Sequence, residues 1–140
     1  MAKKKTKVEK LNVLTIPIPL YRCSVVIFFG ASLNGMIKTG IKHGIKEKSF
    51  NTDWKRWIED NMGEGKGFAI TYGKGNSDVL VWMWKRPRKL SEYAVLYHEL
   101  YHATDQIAAH RHFQLNEEPD EPKAYLFEYL FRKVSEVLWK

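Results

Sequence analysis

His98 and His102 stand four residues apart in Tyr97-His98-Glu99-Leu100-Tyr101-His102-Ala103, an H-E-x-x-H motif. On a helix of 3.6 residues per turn they project from nearly the same angle, one turn apart, and together make a bidentate grip for a metal ion. Glu99 follows His98 by about a quarter turn. There a carboxylate can hold a metal-bound water as general base without ligating the metal itself. The metal candidates are therefore His98 and His102, and the catalytic candidate is Glu99.

The surroundings of the motif favour chemistry over packing. From Glu92 to Ala109 the formally charged residues are Glu92, Glu99 and Asp105. Apolar residues such as Val95, Leu96, Leu100, Ala103 and Ile107 fall on nearly every side of this helix, which predicts that it is buried all round. Burying Glu99 and two imidazoles unpaired would cost about 1–3 kcal/mol for each polar group, and more for a charge. A bound cation offsets that cost.

A catalytic zinc takes three protein ligands and keeps a fourth position for water. Downstream of the motif the candidates for the third are His110, His112, Glu117, Glu118, Asp120, Glu121 and Glu128. A ligand at His110 or His112 would need a glycine turn that Asp105-Gln106-Ile107-Ala108 lacks. Glu121 is favoured because it opens the last helical segment and Ala124, three residues on, permits close packing; Glu128 shares its face and is the reserve. Asp105 is either an orienting partner for an imidazole or a solvent-facing aspartate. Tyr125 is either a donor to a developing oxyanion or a core tyrosine.

The elements that must position these residues are legible in outline. Residues 1–10 read as a disordered basic tail, and residues 11–140 as a single domain. Leu11 to Gly30 is rich in β-branched and aromatic residues. Pro17 and Pro19 make its first half an edge-like lead-in, and a core strand follows over Arg22–Phe29. Short helices are predicted over Ser32–His43 and from Thr52 or Asp53 to Gly63. Phe68–Tyr72 and Asp78–Trp84 read as a β-hairpin across Gly73–Ser77. Ser91 is the expected N-cap of the motif helix, which runs to about His110. Pro122–Trp139 reads as a final helix, with Pro122 in its first turn.

Composition narrows the class. Hydrophobic residues make up 44% of the 140 and aromatics 14%, which is globular rather than disordered composition. The formal charge is +7, but residues 1–10 supply +4 of it, so the body is only mildly basic. Lys38–Arg56 and Lys85–Lys89 are basic clusters that could meet phosphates, although such runs are more often solvated faces. The single cysteine, Cys23, suits a reducing compartment. The basic start resembles a signal peptide only superficially, because Pro17, Pro19 and Arg22 break the apolar run. No membrane span and a cytoplasmic location are the expectations.

HELYHA followed by EPKAY resembles the small gluzincins, zinc metallopeptidases whose second helix supplies a glutamate. Among these it is similar to the compact phage- and mobile-element-associated H-E-x-x-H proteins and the ImmA/IrrE-like peptidases. The resemblance covers residues 68–130 and rests on the H-E-x-x-H motif and the E-x-x-A of Glu121 and Ala124. It implies an α+β, minimal zincin-like domain with a small, mostly antiparallel sheet packed on the motif helix and a C-terminal helix. It also implies that Glu121 is the third ligand to Zn2+, and that the strand Asp78–Trp84 is an edge to which a protein or peptide substrate adds. The implied activity is that of an endopeptidase. Two other readings stand beside it. One is a catalytically silent binding protein of the same fold, contacting a protein or nucleic acid; the other is a hydrolase of non-peptide bonds.

Overall fold

The structure, a computed structural model, describes residues 12–42, 50, 52–71, 78–111 and 121–139, without the side chains of Arg111 and Glu121. The fold is α+β. Strands β1 (Val13–Ile18), β2 (Cys23–Phe29), β3 (Gly67–Thr71) and β4 (Val79–Met83) form one sheet in the order β1-β2-β4-β3. Helices α1 (Leu33–Lys42), α2 (Thr52–Asn61), α3 (Leu90–Arg111) and α4 (Glu121–Leu138), with a short 3-10 helix at Pro19–Tyr21, complete the described elements.

The two central strands carry near-continuous apolar runs because both of their faces are covered. Val25, Ile27 and Phe29 of β2 join Val79, Val81 and Met83 of β4 in the core beneath α3 and α4, where Leu96, Leu100, Ile107, Leu130 and Val134 meet them. On the opposite face Val26, Phe28, Leu80 and Trp82 pack with Met36 of α1 and Ile58 of α2. A one-residue register slip would exchange these two sets. Trp82 is fixed further by its indole N–H, which donates to the Ala31 carbonyl at 2.9 Å, and by stacking on Phe68 at 5.8 Å between centroids.

The sheet is mixed. β1 pairs antiparallel with β2, and β3 with β4, but β2 and β4 run parallel, with Val25 opposite Val79 and Phe29 opposite Met83. Strand β4 is therefore interior. The expectation that Asp78–Trp84 forms an edge is corrected: its hairpin partner β3 takes that place, because the long connection through α1 and α2 lets β4 seal its other side against β2. Pro17 and Pro19 act as expected. Pro17 lies in the edge strand β1 opposite Ser24, where the missing N–H disrupts no interior ladder, and its carbonyl accepts from Tyr129 of α4 at 2.8 Å.

Helix α3 begins at Leu90, so Ser91 lies inside it and is not the N-cap. The first turn is closed from within. Glu92 Oε1 accepts from the backbone N–H of Arg88 at 2.9 Å and of Lys89 at 3.3 Å, and Oε2 pairs with Lys85 Nζ at 3.0 Å. This is the reciprocal half of a capping box with a cation added, and it ties the end of β4 to the start of α3. The N–H bond from Arg88 and the Lys85 ammonium hold the Glu92 carboxyl below its ordinary range. The stability it contributes is thus present above the unfolded pKa of 4.5 and is lost as pH falls through the lower folded value. Glu92→Ala is expected to lower the urea midpoint at about pH 7 and to have much less effect at about pH 3.

Candidate metal centre

Helix α3 presents three working sides. Leu96, Leu100, Ala103 and Ile107 are buried against the sheet. Tyr93 and Tyr97 turn to α4, where the Tyr97 ring lies 4.5 Å from Phe131 and its hydroxyl 3.2 Å from Ser135 Oγ. The remaining side carries His98, Tyr101, His102 and Asp105, all exposed. The expectation of a helix buried all round is therefore corrected. With a sheet on one side and a single helix on another, the third side has no covering element among the described residues, and the two imidazoles sit there while Glu99 is buried.

The imidazoles converge. Their Nε2 atoms lie 3.1 Å apart, with the rings at 82° to each other. Two nitrogens bonded to one zinc at 2.0–2.1 Å and a tetrahedral angle would stand about 3.3 Å apart. The pair is within a few tenths of an ångström of that separation, which is also that of a hydrogen bond between the two rings, so the two nitrogens could meet one ion with little movement.

Glu99 is 7% exposed and has no hydrogen bond or ion pair to any described residue. Burial raises its pKa above the ordinary 4.5, against the opposing pull of His98 and His102. A buried carboxylate without a partner among the described residues is costly, and a native fold keeps one where it has a task. Its seat is made by a glycine. A Cβ added at Gly67 of β3 would stand 3.1 Å from Glu99 Cγ, 3.1 Å from Met83 Sδ and 3.0 Å from the Trp82 carbonyl oxygen. The carboxylate side chain thus lies directly on the edge strand.

One turn beyond His102, Gln106 reaches the same strand. Its Nε2 donates to the Ala69 carbonyl at 2.9 Å, and its Oε1 accepts from the Thr71 hydroxyl at 3.1 Å. Sequence reasoning missed both Gly67 and Gln106. The spacing 98-102-106 on one helix carried a signal for Gln106, but Gly67 looked like one more glycine of the loop that begins at Gly63.

The third ligand is not fixed by the described residues. Among them no third His, Cys, Asp or Glu joins the pair. Glu121 opens α4, but its side chain lies outside the described part of the chain, as do His112, Glu117, Glu118 and Asp120. Glu128 is exposed and pairs with Arg132 at 3.1 Å. His110 is exposed at the end of α3, and Tyr125 is 64% exposed on α4. Asp105 bonds Lys123 Nζ at 2.7 Å rather than an imidazole, and Lys123 also lies 5.4 Å over the Tyr101 ring. Those contacts tie the first turns of α4 to the exposed side of α3, beside the histidines. Compared with protein-family models, curated proteins and solved structures, the chain finds no match.

Proposed function

We propose that this chain is a zinc-dependent hydrolase, an endopeptidase, with His98, His102 and Glu121 as the residues that would hold the metal and Glu99 as general base. The observation that carries the reading is the pair of imidazole nitrogens 3.1 Å apart next to a buried carboxylate without a described partner. Zinc supplies Lewis-acid polarisation of a carbonyl and a water acidified toward neutral pH. Everything else falls to the chain. Glu99, held against β3, takes a proton on its carboxylate and returns it to the leaving amine nitrogen. Burial supports this role, because a raised pKa brings the group closer to the working pH of an acid-base catalyst.

The edge strand supports a peptide as substrate. Trp84 N–H donates to the Lys66 carbonyl at 3.2 Å, so in the β3–β4 register Lys66, Phe68 and Ile70 turn their backbone groups inward. Gly67, Ala69 and Thr71 turn theirs outward. An extended peptide adding at Gly67 would lie along the carboxylate of Glu99. No described helix is long and apolar enough to cross a membrane. The single cysteine of the chain, Cys23, is buried and in no disulfide, which supports a cytoplasmic setting.

The test is metal content by mass spectrometry on the purified protein. About one zinc per chain is expected. It should be lost in His98→Ala and in His102→Ala, weakened in Glu121→Ala and retained in Glu128→Ala. A protein that takes up no zinc when the ion is supplied would overturn the reading, and α3 would then be a packing element of a binding protein.

A further inference from the structure

We infer that Gln106 sets how far along β3 an extended peptide can pair. The inference rests on the peptidase reading and names a residue that limits the substrate of that site.

The outward backbone of β3 offers three positions, at Gly67, Ala69 and Thr71, spaced two residues or about 6.7 Å apart. Gly67, opposite Met83, falls at a non-hydrogen-bonded position of the β3–β4 register, so its N–H and carbonyl turn away from β4. Ala69 differs, because its carbonyl already accepts from the Gln106 carboxamide. The carboxamide stands where the next strand's peptide unit would stand, with its N–H donating to β3 as a neighbouring backbone N–H would. Its oxygen is anchored by the Thr71 hydroxyl, so the group is held from both ends of the gap. A carbonyl has a second lone pair, but a peptide strand reaching it must share the site with the Gln106 carboxamide.

Among the described residues the edge is therefore open at Gly67, beside Glu99, and plugged from Ala69 onward. A peptide docking antiparallel to β3 runs from the Thr71 end toward Gly67, so the plug faces the residues on the amino-terminal side of the scissile bond. Roughly two of them fit between the level of Glu99 and the carboxamide before the chain must leave the edge. A longer substrate bends away there, and side chains further upstream go unread.

Glu99→Gln protein loaded with zinc, which holds a peptide without turning it over, provides the test. Pools of end-blocked, sequence-randomised tripeptides and octapeptides are titrated while the backbone amides of Gly67, Ala69 and Thr71 are followed by NMR. With Gln106 present, both pools should shift the Gly67 amide and leave Thr71 unmoved. With Gln106→Ala added, the octapeptides should shift Thr71 too and bind about tenfold tighter, while tripeptide binding stays the same. Thr71→Val, which removes only the anchor of the carboxamide, should give the same change in smaller measure and guards against a folding defect in Gln106→Ala. A Thr71 shift with Gln106 in place would overturn the inference, as would equal length dependence in all variants or no shift anywhere on β3. The peptidase reading fails separately, on zinc content and on turnover by the Glu99 protein.

Discussion

Glu99→Gln is expected to reduce hydrolysis by about 10²–10⁴-fold, the usual contribution of a positioned general base, with zinc content unchanged. The same substitution should stabilise the metal-free protein. Burial raises the Glu99 pKa above 4.5, so the folded state holds this proton more tightly than the unfolded chain does. The destabilisation is absent below the unfolded pKa, grows as pH rises through it and is complete above the folded value. A neutral amide of the same shape removes it. Thermal unfolding in the presence of a chelator should therefore show a higher Tm for Glu99→Gln at about pH 7 and no difference at about pH 3. Lost activity with gained stability marks a group retained for chemistry against the interest of the fold. Activity that persists in Glu99→Gln would remove this carboxylate from the mechanism. A Tm that falls at neutral pH would mean that the carboxylate is paired and contributes to the fold.

Local pattern carried much of this arrangement, and long-range pairing carried the rest. The motif helix expected over Ser91–His110 is α3, Leu90–Arg111, and the strand expected over Arg22–Phe29 is β2, Cys23–Phe29. Where a hairpin of Phe68–Tyr72 and Asp78–Trp84 was expected, Gly67–Thr71 and Val79–Met83 pair antiparallel, while Tyr72 and the connection Gly73–Ser77 lie outside the described residues. Those features depend on neighbours in sequence. The parallel partnership of β2 with β4 does not, since Val25 and Val79 come together only after two helices have intervened, and no pattern within either strand specifies it. That one pairing moved the sheet edge from β4 to β3. It thereby decided which backbone lies beside Glu99. The histidine pair was legible because helix geometry alone brings residues four apart together. Its exposure was not, because apolar residues all round α3 said nothing of how few elements would cover it. Tyr101, apolar in the reading, is 50% exposed. The Ser91 cap was misplaced by a residue type that also serves inside a first turn, while Glu92 three positions after Lys89 was the better signal.

Gly67→Val is expected to damage both the sheet edge and the site. The added Cβ meets three atoms at 3.0–3.1 Å, and they do not yield equally. The Trp82 carbonyl belongs to the backbone of the neighbouring strand and is held by the sheet; Met83 Sδ ends a flexible side chain; Glu99 Cγ belongs to the proposed base. Relief must come from Met83 Sδ and from Glu99, so Glu99 is expected to be pushed from its seat. Overpacking of this kind costs about 1–3 kcal/mol of stability, read as a lower urea midpoint at unchanged slope. A displacement on the order of 1 Å at a reacting group is worth about 10²-fold in rate, with zinc content again expected unchanged because the three atoms nearest the new Cβ include none of His98 or His102. A double-mutant cycle apportions the strain. If Glu99 bears much of it, Gly67→Val costs less stability in a Glu99→Ala background, with a coupling of about 0.5–3 kcal/mol. Additive costs would put the strain on the Trp82 carbonyl and Met83 Sδ, both on β4, instead. The absent side chain at position 67 would then serve the pairing of β3 with β4, and the closeness of Glu99 to the edge strand would be a consequence of that pairing rather than its purpose.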